Sequence, residues 1–399
     1  MPAPPIAIYG AIDRFNYGDL LFPLVLDSAF RTAGCDRPII PVGVRSSDLS
    51  RYGALPTKPM RWLAEPDNLP NGSKVVIAGG EALAAGWGRM VSHLMPQRMG
   101  DPIYALASRL LSPQTLDRLG KKLAHASWDH PFCPRPGDFA HRVDTIFNAV
   151  GGSGLPNLPP DEIRVISDAV AQAVYASVRD RATHAALGAE SSGVEVHPDS
   201  AAVMAQLYPA DKLLSEARAD VRAIIDDPRP FVCFQLHRYF TPEKLQRFAR
   251  ELDRISHDGG LRIVLLPIGR AAGHSDQVSL SKVKTAMKED AEMPAEMGVF
   301  DIMALLAHCA IYTGTSLHGL ITAMAFGRPY AALGKNSKCL AFLDAWAPVA
   351  FQGTARAKGF AETVSDRIAQ PHHILLESAD EIYKAAATGL GRVVDVALN

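Results

Sequence analysis

Short apolar runs punctuate the chain at nearly regular intervals, separated by polar turns rich in glycine and proline. Ten of them have strand length: Ile6–Tyr9, Pro38–Val42, Lys74–Ala78, Thr145–Val150, Val174–Val178, Val194–His197, Phe231–Leu236, Leu261–Pro267, Ala310–Thr313 and Tyr330–Leu333. Their apolar character is continuous rather than alternating, which suits strands covered on both faces, as in parallel sheets.

Between these runs the spacing turns helical. Ile163, Ile166, Val170 and Val174 step by 3, 4 and 4, the last at the entry to a strand, and Leu245, Phe248, Leu252 and Ile255 step by 3, 4 and 3. Strand–helix alternation predicts an α/β protein with doubly wound, Rossmann-like parallel sheets. At 399 residues the chain exceeds what one hydrophobic core usually serves. A polar, proline-rich joint, D-D-P-R-P, sits at 226–230 before the strand-like P-F-V-C-F-Q-L. Two domains are therefore expected, 1–222 and 223–399, facing each other across a cleft. Residues 100–144, with W-D-H-P-F-C-P-R-P-G-D-F, break the rhythm and are expected as an insertion over the first domain.

In open parallel sheets, ligands bind beyond the carboxyl ends of the strands. Seven loops there carry candidate chemistry. After the first run comes D-R-F-N-Y-G-D, where Asp19 is predicted to cap a helix starting at Leu20 and Asn16 and Gly18 suit a tight turn. A capped turn leaves Arg14 unexplained. In A-G-G-E-A, Gly79 and Gly80 permit close backbone approach, to a ligand or equally to another strand. G-G-S-G at 151–154, with Gly152, reads as an anion nest or as a simple turn. Arg179 and Asp180 in V-R-D-R-A-T read as a pair bracing their loop. His237 and Arg238 end the first strand of the second domain and face the cleft. In T-G-T-S-L-H-G, a polar turn enters a helix near Leu317, capped by Ser316 or Thr315. His318 falls in its first turn, where free N–H groups favour anions. Lys335 and Lys338 in G-K-N-S-K offer charge to a phosphate, or belong to a solvated loop.

Composition narrows the partners. The 41 basic and 42 acidic residues cancel, so no global field recruits nucleic acid or an anionic surface. The five cysteines are scattered with no C-x-x-C pair, which speaks against a zinc knuckle or a disulfide framework and for reduced thiols in the cytoplasm. The N-terminus M-P-A-P-P-I-A-I lacks the marks of a secretion signal. Cys309–Gly327 has no charged residue but carries Thr313, Thr315, Ser316 and His318 at its centre, unlike a transmembrane helix. The glycine spacing at 10 and 18 misses G-x-G-x-x-G, and H-E-x-x-H, G-x-S-x-G and the P-loop pattern are absent. No cofactor and no metal are expected.

The ordered set of motifs resembles the polysaccharide pyruvyl transferase family over roughly residues 6–345. Its strand followed by G-x-x-x-x-x-N-x-G-D looks like G-A-I-D-R-F-N-Y-G-D, and its glycine pair looks like A-G-G-E. Its V-R-D and later D-P-x look like Val178–Asp180 and His197-Pro198-Asp199, with the Asp here after the Pro. Its R-L-H-G/A, apolar helix and G-x-P look like S-L-H-G-L-I-T-A-M-A-F-G-R-P, and its lysine after the next strand looks like Lys338. The resemblance implies a GT-B-like architecture and transfer of the pyruvyl group of phosphoenolpyruvate onto a sugar of a polysaccharide or its precursor as a cyclic ketal. It implies His318 as the acid/base, with Arg238, His237, Ser316, Lys338 and Arg14 on the donor. Asn16, Asp19, Gly79, Gly80 and Gly152 would lie on the acceptor side, in the first domain. The implied partners are phosphoenolpyruvate and a saccharide acceptor, lipid- or nucleotide-linked, at a cytoplasmic site or on the inner face of a membrane, with homo-oligomer formation left open.

Two departures stand out. Ser316 replaces the family's arginine before Leu-His, and His237 precedes Arg238 where the family often ends that strand in arginine. The anion clamp is weakened or moved to Arg238, Arg14 or Lys338. A GT-B-like glycosyltransferase using a sugar nucleotide and a non-catalytic member stand as alternatives.

Overall fold

The computed structural model describes residues 3–95, 97–188, 193–237, 240–270 and 276–399, with backbone alone at 97, 98 and 101. Two all-parallel sheets organise the chain. The first contains β1 (Ile6–Tyr9), β2 (Ile39–Gly43), β3 (Lys58–Pro59), β4 (Lys74–Ile77), β5 (Asp144–Val150), β6 (Tyr175–Val178) and β7 (Glu195–Val196), in the order 3-2-1-4-5-6-7. The second contains β8 (Phe231–Gln235), β9 (Arg262–Leu265), β10 (Ala291–Glu292), β11 (Ile311–Gly314), β12 (Tyr330–Leu333) and β13 (Thr354–Ala355), in the order 10-9-8-11-12-13. Each sheet reverses its winding beside its first strand, between β1 and β4 and between β8 and β11. Those switch points open a crevice at the carboxyl ends of the strands.

All ten expected strands form, within a few residues of the expected ends. The additional β3, β10 and β13 are two-residue edge pieces with no apolar run to announce them. β1 is fully buried from Ile6 to Tyr9 and β8 from Phe231 to Gln235, as unbroken apolar runs between helical layers require.

The helix after β1 runs Tyr17–Thr32 and its N-cap is Asn16, not Asp19. The Leu20 amide donates to the Asn16 carbonyl at 3.2 Å, and the Asn16 side chain turns to Asp19 instead of capping. Asp19 thus sits in the first turn, where its charge suits the dipole.

Residues 100–144 are more than a cover. They contain the rest of the Gln97–Leu110 helix and the Pro113–Leu123 helix, then a loop that drives Trp128, Phe132 and Phe139 into the first core. Tyr9 Oη donates to the Pro131 carbonyl at 2.7 Å and Trp87 Nε1 to the Trp128 carbonyl at 3.2 Å.

The passage between the sheets differs from the 222/223 expectation in one respect: those residues lie inside the Ala219–Asp226 helix, and the chain crosses at 227–230. That helix and Ala210–Glu216 already pack on Val299–His308 of the second half. The C-terminal helix, His372–Leu398, returns to lie against β5 and β6, and Arg37 Nη1 donates to the Ala397 carbonyl at 2.7 Å. One core cluster consequently holds Ile8 of β1, Cys233 of β8, Leu320 and Val393 together.

Candidate active site

The crevice between the sheets is a cavity of about 280 Å³ lined from both halves. Beside it the first helix is tied to the second half. Tyr17 Oη and Thr322 Oγ1 lie 2.9 Å apart, joining Tyr17–Thr32 to Leu317–Ala325, and Asn16 pairs backbone to backbone with Gly269. The two halves are thereby held in register at this point.

His318 is the second residue of the Leu317–Ala325 helix, whose N-cap is Ser316, its Oγ accepting from the Gly319 amide at 3.4 Å. The side chain is 11% exposed, stands edge-on to Phe22 with centroids 5.3 Å apart, and lines the cavity. Its Nε2 is 3.4 Å from Asp199 Oδ2. Asp199 is fully buried, accepts from the Ala201 amide and lies 3.6 Å from Arg179 Nη1. Burial pushes the Asp199 carboxyl up, but His318 and then Arg179 outweigh it, so it stays below the ordinary carboxylate value. The ring's other side leans on the first turn of the opposite helix. A Cβ at position 18 would stand 1.8 Å from His318 Nδ1, so only glycine lets the imidazole approach there.

The turn that precedes His318 hangs on one side chain from β8. Gln235 Oε1 accepts from the Thr315 amide at 2.8 Å, the Ser316 amide at 3.0 Å and Thr315 Oγ1 at 3.1 Å. Opposite it, Asp276 Oδ2 accepts from the Ile268 and Gly269 amides at 3.0 and 2.9 Å. Burial pushes the Asp276 carboxyl up to about 7, against the amides, Gln235 and Lys338, which lower it.

The expected site residues divide clearly. His318, Ser316, His237, Lys338, Arg14, Asn16, Asp19 and Gly79 line the cavity. Gly80 and Gly152 do not: the Gly80 carbonyl accepts from the Gly151 amide, and the Gly152 amide donates to Thr183 Oγ1. Gly79, at φ +125°, turns the chain under Phe22. Lys335 lies outside the cavity. Arg238 falls outside the described residues. Arg14 faces the cleft but is committed: its Nε and Nη2 hold Asp13 Oδ1 at 2.7 and 2.6 Å, and Asp13 Oδ2 also accepts from the Arg45 amide. Lys338 lines the cleft with no ion pair among the described residues. Burial lowers the His237 pKa, and its ring lies against Phe240.

Arg179 and Asp180 do more than brace a loop. Arg179 is buried at the cavity wall between Glu81 and Asp199, while Asp180 caps the next helix through the Thr183 amide. Gln235, Asp276, Glu81, Arg89 and His93 also line the cavity and are not among the residues the sequence predicts there. Of these, Gln235 carried a signal, a polar residue ending an apolar strand at the switch point. Among the described residues no group of His, Cys, Asp and Glu is arranged to hold a metal ion.

Several solved structures share this architecture. MnaA of S. aureus in complex with UDP is similar at 11% identity with a TM-score of 0.58, over 98% of this chain and 95% of that one. The UDP-GlcNAc 2-epimerase of Neisseria meningitidis bound to UDP-GlcNAc is similar at 9% identity and TM-score 0.57, over 98% and 99%. A putative UDP-N-acetylglucosamine 2-epimerase of Listeria monocytogenes follows at 10% and 0.54, over 98% and 94%. At such identities these likenesses establish the two-domain fold alone. No curated protein matches the chain. The sequence model of one family, described as polysaccharide pyruvyl transferase, matches residues 16–336, from the Asn16 cap through the His318 helix to Asn336. That span holds most of the residues on both walls of the cleft, and the chain belongs to the polysaccharide pyruvyl transferase family.

Proposed function

We propose that the protein transfers the pyruvyl group of phosphoenolpyruvate to two hydroxyls of a saccharide, forming a cyclic ketal and releasing phosphate. The observation that supports it most is His318 at a buried helix N-terminus, facing the cleft and backed by Asp199. In this reaction one sugar oxygen adds to C2 of the enol phosphate while a proton reaches C3. The C2–O bond to phosphate then breaks and the second sugar oxygen takes its place. Two O–H bonds are lost; one proton ends on the new methyl group and the other on phosphate. His318 is the acid that serves C3, and Asp199 orients its ring and supplies a counter-charge when it is protonated.

The donor's phosphate and carboxylate need cations and N–H groups. Lys338 and the first turn of the Leu317–Ala325 helix supply them, because Arg14 is already held by Asp13 and the family arginine is Ser316 here. On the opposite wall, Asn16 and Asp19 face the acceptor.

The test is incubation with phosphoenolpyruvate and lipid- or nucleotide-linked saccharides, following phosphate release and ketal formation. His318→Gln is expected to lower kcat by roughly 10²–10⁴. Full activity in that variant removes the role. Thermal stabilisation by UDP-sugars and none by phosphoenolpyruvate would replace the reading with sugar-nucleotide transfer.

A further inference from the structure

Large apolar side chains stand exposed at twelve positions among the described residues, and seven of them fall between 99 and 123. On the Gln97–Leu110 helix, Met99, Ile103, Leu106 and Leu110 are 54, 46, 60 and 74% exposed. At 100° per residue these four lie within about 60° of one another, a single stripe along the axis. On the Pro113–Leu123 helix, Leu119 and Leu123 are 47 and 65% exposed. Neither run is needed for the core: the first helix rests on buried Gly100 with Tyr104 and Ala107, the second on Leu116 and Gly120. The first helix is therefore a ridge, exposed along most of its length, rather than a wall of a groove.

The charge around the stripe is mainly basic. Residues 97–123 carry five basic and two acidic side chains, in a chain whose total is −1. Arg109, Arg118 and Lys122 are exposed, whereas Asp117 turns inward and its Oδ1 accepts from the Gly88 amide at 2.8 Å. An apolar ridge edged by cations is the composition of a helix that lies in a bilayer interface. Among the described residues no helix is long and apolar enough to cross a membrane. Both helices pack on Trp87–Leu94, which sends Arg89, Met90 and His93 into the cleft.

We propose that the Gln97–Leu123 helix pair is a membrane-docking surface, laying its apolar stripe into the interface of an anionic lipid bilayer beside the mouth of the cleft. A saccharide carried on a lipid would then meet the cleft without leaving the membrane surface. The docking itself does not depend on which donor the cleft uses.

The experiment is co-sedimentation of the full chain with vesicles of phosphatidylcholine alone and with phosphatidylglycerol added. The protein is expected to sediment with the anionic vesicles and to be released by salt, since its cations are exposed. Leu106→Ser with Leu110→Ser is expected to weaken binding more than about tenfold. Arg109→Glu with Lys122→Glu is expected to abolish the preference for phosphatidylglycerol. Circular dichroism and activity on a soluble acceptor should be unchanged in both, because neither pair touches the core or the cleft. Wild-type protein left in the supernatant with both vesicles overturns the proposal, as does equal sedimentation of the serine pair. A dimer that the serine pair dissociates, with no vesicle binding, assigns the ridge to a second copy of this chain and overturns it too.

Discussion

The cleft contains a carboxylate whose surroundings disfavour its charge. Asp276 is 3% exposed, and two backbone amides spend themselves on one of its oxygens. Even so, burial raises it from 3.8 to about 7, so the native state binds this proton more tightly than the unfolded chain does. Its contribution to stability is present in full below pH 4 and fades as pH climbs towards 7, where the buried group ionises. The asparagine variant keeps an oxygen for the Ile268 and Gly269 amides and removes the titration. Urea unfolding of wild type and Asp276→Asn across pH 4–8 should therefore diverge, with the variant gaining ~2–4 kcal/mol relative to wild type by pH 7. Parallel curves would show that Asp276 is ionised throughout. Nothing near Asp276 in the sequence announces this: it follows A-A-G-H-S with no apolar pattern, and only the fold brings it into the cleft beside Gln235 of β8. His318 was legible for the opposite reason, since strand, polar turn and apolar helix lie consecutively around it.

At the scale of elements, the turn from β11 into the His318 helix has no inherent reason to hold one shape. Gly314, Thr315 and Ser316 are small, and two of their amides point into the protein rather than to water. Gln235, 80 residues earlier, satisfies both through one oxygen, and Asn336 Nδ2 ties down the Thr315 carbonyl from the far side at 3.0 Å. Replacing Gln235 by methionine keeps the shape of the side chain and strands the two amides. The expected cost is about 2–5 kcal/mol in chemical denaturation, with activity falling further than stability because His318 loses its mount. A loss under 0.5 kcal/mol, on the order of an ordinary surface change, would mean that water replaces the glutamine oxygen. The strands themselves were legible because burial on both faces demands unbroken apolar runs, which is why β1 and β12 match their expected ends. The cap of the first helix was not. Asn16 and Asp19 are both good caps by type, and the choice was made by the pairing of Asn16 with Gly269 in the other half, a contact no local pattern contains.

On the scale of the whole molecule, the two halves are less separable than two sheets suggest. We propose that the first domain, 1–222, requires the end of the second, 223–399, to be complete. The His372–Leu398 helix buries Leu375, Ile382, Leu390, Val393 and Val394, packing on the Leu317–Ala325 helix of the second half and on Ser200–Val203, the Tyr17–Thr32 helix, β5 and β6 of the first. At roughly 1.5–3 kcal/mol for each fully buried side chain, these five represent about 8–15 kcal/mol, the same size as the entire stability of a typical protein. A fragment that ends at 222 loses that cover, is cut within the Ala219–Asp226 helix, and leaves the Arg37 guanidinium without the Ala397 carbonyl. It is expected to unfold without a cooperative transition and to bind a hydrophobic dye, the behaviour of a collapsed but unpacked chain. The full chain, sharing one core cluster between the sheets, should instead melt in a single transition seen alike by far-ultraviolet circular dichroism and tryptophan fluorescence. Tryptophan makes this a sharp comparison, because Trp87 and Trp128 report on the first core while Trp346, whose Nε1 donates to the Arg179 carbonyl at 2.8 Å, reports on the contact between halves. Cooperative melting of the 1–222 fragment at the temperature of the full chain would show that the returning helix is packing on an already stable domain.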